Sequence, residues 1–90
     1  MGSQATRGMV RLQICRETPD GECVPAVGSQ RITILKRGVV FTECATQAGD
    51  NLTVSLPSGS YTVLVNGGCA TPLTVTQAGQ DVRICSKCAT

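Results

Sequence analysis

The stretch Asn51-Leu52-Thr53-Val54-Ser55-Leu56-Pro57-Ser58-Gly59-Ser60-Tyr61-Thr62-Val63-Leu64-Val65 decides how this chain folds. Leu52, Val54 and Leu56 alternate with Thr53 and Ser55, the period of two that puts apolar side chains on one face of a strand. Pro57-Ser58-Gly59 reverses the chain, and Tyr61, Val63 and Val65 take up the same alternation.

The pattern continues outward in both directions, and no helical stripe interrupts it. Upstream, Val10, Leu12 and Ile14 predict a first strand with Arg11, Gln13 and Cys15 on its other face. Thr18-Pro19-Asp20-Gly21 makes a turn, and Cys23 lies just beyond it. A second strand is predicted from Gln30 to Lys36, closed by Lys36-Arg37-Gly38, and a third from Val39 to Thr46. Ala48-Gly49-Asp50 turns into the opening stretch. Downstream, Asn66-Gly67-Gly68 opens a loop carrying Cys69 and Pro72. Leu73 to Thr76 follows, then a turn at Gln77-Ala78-Gly79 and a last strand from Gln80 to Cys85 with Val82 and Ile84 facing the core. Seven short strands with Gly/Pro turns predict an all-β fold, a seven-stranded antiparallel β-sandwich. Residues 8–85 form that domain, preceded by an arm at 1–7, read as flexible or as a cloning scar, and followed by a short tail at 86–90.

Ninety residues carry a formal charge of +2, and the eight Lys and Arg are scattered, without a run and without interleaved aromatics. That pattern argues against nucleic-acid binding. No apolar stretch approaches the roughly 20 residues that span a bilayer. The chain has no histidine, and Glu17, Asp20, Glu22, Glu43, Asp50 and Asp81 sit mainly at turns, so no catalytic residue and no cofactor is expected. Phe41 and Tyr61, the only aromatics, fall in strand patterns and are expected in the core, with the Tyr61 hydroxyl suited to fixing a turn. Asn51-Leu52-Thr53 matches a glycosylation sequon but reads as a strand start.

The order "VRLQICRETPDGECVPAVGSQRITILKRG", "TQAGDNLTVSLPSGSYTVLV" and "LTVTQAGQDVRIC" resembles the prealbumin-like sandwich of collagen-adhesin B-type and carboxypeptidase-regulatory-like domains. The most specific part is Thr46 to Val65, and the resemblance runs from Gly8 to Cys85. It implies a modular role in stalks of surface adhesins and pili, or as a spacer beside enzymes. Many such domains join their first and last strands by a Lys-Asn isopeptide bond. Here the first strand has no lysine and the last no asparagine, so no such bond is expected.

Six cysteines, Cys15, Cys23, Cys44, Cys69, Cys85 and Cys88, predict a disulfide-stapled domain in an oxidising setting. Cys15 could close the turn with Cys23, or join the terminal strands through Cys85 if these neighbour each other as the resemblance implies. Six cysteines admit fifteen pairings, which leaves the choice open. Cys85-Ser86-Lys87-Cys88 lacks the helix and βαβ setting of a redox dithiol, and one Cys-x-x-Cys without histidine is a poor zinc site. Cys88, past the last strand, is the first candidate for a cross-link between subunits, with Cys15 and Cys23 behind it.

These readings predict a non-enzymatic structural subunit of an extracellular or cell-surface assembly, such as a pilus-like fibre, appendage or coat. Its expected partners are copies of itself, in a homopolymer that disulfides could make covalent. The competing reading is a monomeric secreted binding or adhesin accessory module that meets a ligand through "NGGCATP" and "CRETPDGEC".

Overall fold

A computed structural model describes residues 7–46, 51–77 and 79–90. The turn expected at residues 48–50 lies outside the described residues, as do the arm up to residue 6 and Ala78 of the last turn.

Period-two segments become strands because alternate apolar residues can share one buried face. Among the described residues eight form: β1 Arg7–Glu17, β2 Cys23–Pro25, β3 Arg31–Lys36, β4 Val39–Ala45, β5 Asn51–Pro57, β6 Gly59–Val65, β7 Gly68–Val75 and β8 Gln80–Ser86. They make two four-stranded sheets. In the first, β1 pairs with β2, β5 and β8; the second has the order β4-β3-β6-β7. Val10, Leu12, Ile14, Leu56 and Ile84 of the first sheet share one core with Ile32, Ile34, Val63, Val65, Leu73 and Val75 of the second. Val10, Leu12 and Ile14 are completely buried, as their alternation predicts.

The all-β, two-sheet expectation holds, but the seven-stranded antiparallel description is corrected in two ways. The eighth strand is β2, three residues that pair with the end of β1 in the register Glu17↔Cys23 and Cys15↔Pro25. Three residues are too short to show a period, so only their partner makes them a strand. The second correction is that β1 and β8 run parallel, from Val10↔Gln80 to Arg16↔Ser86.

The opening stretch behaves unexpectedly as well. β5 pairs with β1, whereas β6 pairs with β3 and β7. Pro57 to Gly59 therefore reverses the chain by crossing between sheets, with Gly59 at φ 153° and the Tyr61 hydroxyl donating to the Pro57 carbonyl at 2.6 Å. Besides β1–β2, joined through Thr18–Glu22, the hairpins among the described residues include β3–β4, turning on Arg37 and Gly38 at φ 54° and 77°, and β6–β7, turning on Asn66 and Gly67 at 54° and 82°. Two positive φ values are what a two-residue turn needs to match strand twist. "NGGCATP" is thus mostly strand and not an open loop, and Pro72 is tolerated because β7 is a sheet edge.

The order of pairings fixes two poles. β8 is parallel to β1, and the chain after it meets the segment before β3: Val27 N donates to Thr90 O at 2.7 Å. The ends of β1 and β8 and the start of β3 therefore lie at one pole. The β3–β4 turn and the β5–β6 crossover lie at the other.

Candidate functional site

Two places carry chemistry beyond the core: the cysteine-rich pole at the end of β1, and the β3–β4 turn opposite.

At the first pole, Cys23 is bonded to Cys85 and Cys69 to Cys88, with Cα–Cα separations of 5.8 and 5.9 Å. Cys85 and Cys88 are thus halves of different disulfides, one linking β2 to β8 and the other linking β7 to the chain end. Cys15 and Cys44 are not disulfide-bonded. Neither pairing considered for Cys15 is made. Cys15 is the register partner of Cys85, but neighbouring parallel strands hold their Cβ atoms side by side at about the 4.8 Å strand spacing, wider than the ~3.8 Å a disulfide wants. Cys23 is paired with Glu17, two residues along from Cys15. Cys15, expected on an outer face, is only 3% exposed between β2 and β8.

The tail expected to hang past the last strand is packed. Ala89 is buried in the core and Cys88 packs against it. The side chain of Gln30, wholly buried, anchors the chain end: its Oε1 accepts from Thr90 N and Asn66 Nδ2, each at 2.9 Å, and its Nε2 donates to Val27 O at 2.9 Å and Thr90 Oγ1 at 3.0 Å. Gln30 N donates to Thr46 Oγ1 at 2.8 Å, and Asn66 Nδ2 also reaches Cys88 O at 2.8 Å. Nothing in the one-dimensional pattern marks Gln30, because a polar residue beside a strand reads as solvated. Gly68 leaves room for the second disulfide: a Cβ there would lie 3.3 Å from Cys88 Sγ. Of the three residues singled out for links between subunits, Cys88 and Cys23 are bonded within the chain and Cys15 is buried. Two disulfides in one small domain fit an oxidising, extracellular environment.

Between Glu17 and Cys23 the chain makes a tight projecting turn. Thr18 N donates to Glu22 O at 2.8 Å, Gly21 N to Thr18 O at 2.9 Å and Glu22 N to Thr18 Oγ1 at 3.1 Å. Pro19, Asp20 and Glu22 are exposed on it.

At the opposite pole, Val39, Val40 and Phe41 are 69%, 58% and 37% exposed beside Lys36 and Arg37, around a shallow cavity of about 430 Å³. Phe41, expected in the core, sits on a bulge. The β3–β4 register slips between Ile34 and Leu35, which pair with Thr42 and Val40, so Phe41 is the extra residue. It meets the Tyr61 ring edge-on at 5.6 Å, and the Lys36 ammonium stands 5.4 Å over that ring. Tyr61 itself is core, as expected.

A polar groove of about 420 Å³ crosses the first sheet between Arg11, Gln13, Asn51, Asp81, Val82 and Arg83. Arg11 Nε forms an exposed ion pair with Asp81 Oδ1 at 3.5 Å, and Arg83 Nε donates to the neutral amide oxygen Oε1 of Gln13 at 3.3 Å. Among the described residues, no three or more His, Cys, Asp or Glu group to hold a metal ion, and no helix is long and apolar enough to cross a membrane. Comparison with known proteins finds no family model that matches the chain and no curated protein that matches its sequence.

Proposed function

We propose that this protein is a non-enzymatic structural subunit that associates with copies of itself in an extracellular surface assembly, such as a pilus-like fibre, appendage or coat. The observation that carries the reading is the contiguous exposed patch Val39, Val40 and Phe41 on the edge strand β4. Three adjacent large apolar side chains left in water form the kind of patch that another surface covers. The resemblance to prealbumin-like adhesin and pilus modules points the same way. In this reading the disulfides brace each subunit, and noncovalent contacts join subunits. β4 contains no proline and a single charge, Glu43, so the Phe41 bulge is the main device that keeps its edge from pairing as a strand, and its exposed side chains are left to make the contact.

Sedimentation velocity of the oxidised chain across a wide concentration range tests this. The expected result is reversible oligomers that form without intermolecular disulfides. A chain that remains monomeric at every concentration overturns the reading and returns the protein to the class of monomeric binding modules.

A further inference from the structure

We infer that the contact between copies is head-to-tail: the projecting Thr18–Glu22 turn of one copy seats in the Lys36, Arg37, Val39, Val40 and Phe41 socket of the next. This rests on the self-association proposed above and names the surfaces that would make it.

The two surfaces are complementary in charge and in apolar character. The socket combines two cations with exposed aliphatic and aromatic groups. The turn offers exposed Asp20 and Glu22 around an exposed Pro19, so carboxylates meet Lys36 and Arg37 while the pyrrolidine ring meets Phe41 and the valines. Arg16 and Lys87 stand behind the turn, on β1 and just after β8, so the charge at its tip is acidic although its base is mixed.

Position excludes satisfaction within one chain. The turn follows the end of β1, and the socket lies at the pole where β1 begins. Eleven residues of strand separate them, roughly 33 Å at the usual rise per residue. The described molecule is correspondingly long, 49 × 24 × 21 Å. Complementary surfaces at opposite ends of a rod make a heterologous contact, which gives an open filament unless the rotation closes it into a ring.

The turn is also preorganised. Three internal hydrogen bonds fix Thr18 to Glu22, and the Cys23–Cys85 disulfide ties the following residue to β8. A knob already rigid loses little conformational freedom on docking. The socket's bulge at Phe41 interrupts the regular ladder edge of β4, which favours side-chain docking there over addition of a strand.

A charge-swap experiment tests the pairing. The socket variant is Arg37→Glu, leaving Lys36 in place over Tyr61; the knob variant combines Asp20→Lys with Glu22→Lys. All changes lie on exposed turns, and circular dichroism with disulfide mapping verifies that each variant folds. In sedimentation, each variant alone is expected to associate at least about tenfold more weakly than the native chain. An equimolar mixture is expected to recover association, because each variant then finds an oppositely charged partner, and added salt is expected to weaken the native oligomer. Variants that associate like the native chain, or a mixture that fails to recover, overturn the head-to-tail contact while leaving self-association standing. A native chain that never associates removes both.

Discussion

Tyr61 is a residue whose role could be read before its surroundings were known. An aromatic on the core side of an alternating strand, just after Pro57-Ser58-Gly59, buries its ring and has a hydroxyl to satisfy, and the Pro57 carbonyl accepts it. Tyr61→Phe is expected to destabilise by about 1 kcal/mol, seen as a lower urea midpoint at unchanged slope. Gln30 is the opposite case. Its importance comes from groups 36 and 60 residues away in sequence that converge on one buried side-chain amide. Gln30→Ala removes acceptors and donors from Asn66, Thr90 and Val27 together, with an expected loss of roughly 3 kcal/mol and faster amide exchange at Thr90. A loss below about 1 kcal/mol would mean water replaces the side chain without cost. Cys44 is held above the ordinary thiol pKa, first by burial and then by the neighbouring Glu43 carboxylate. Its thiol is therefore expected to alkylate more slowly at pH 8 than the same thiol in the unfolded chain, and Glu43→Gln is expected to speed the reaction. Because the folded pKa is the higher one, Cys44 supports the fold fully below the unfolded thiol pKa. That support declines as pH rises through the folded value.

At the scale of elements, the disulfides fasten strands that hydrogen bonding leaves weakly held. β2 has three residues, and the chain after β8 pairs with no strand among the described residues. The Cys23–Cys85 bond closes 62 residues and the Cys69–Cys88 bond 19, so on chain-entropy grounds they contribute about 4 and about 3 kcal/mol. The two predicted losses differ in kind as well as size. Replacing Cys69 and Cys88 together by Ser is expected to release the chain end, with exchange protection lost at Val27 and Thr90 while β1 and β3 stay protected. Replacing Cys23 and Cys85 is expected to loosen β2 and the turn before it, and to lower global stability more. If both pairs of substitutions melt the protein equally and everywhere, the fastenings are not local.

At the scale of the molecule, both disulfides lie within the chain, and a non-reducing gel is expected to show one band with Cys23–Cys85 and Cys69–Cys88 cross-peptides. A ladder that collapses with reductant would instead return Cys88 to the role of connector. Much of this architecture was visible in one dimension. Alternation at Val10-Leu12-Ile14, Leu52-Val54-Leu56 and Tyr61-Val63-Val65 determined the strands and their inward faces, since a period of two is a property of the backbone itself. Arg37-Gly38 marked its reversal because few residues accept positive φ, whereas Asn66-Gly67, read as the start of a loop, proved to be a hairpin turn only once β7 paired with β6. Partners were another matter. Whether Pro57-Ser58-Gly59 makes a hairpin or a crossover, whether β8 runs parallel to β1, and whether three residues at Cys23 form a strand depend on which neighbour offers its edge. The same holds for the cysteines and for the exposed socket at Phe41. Sequence specified which residues want burial, oxidation or a turn; only tertiary structure chose their partners, because pairing is decided by distances between segments remote along the chain.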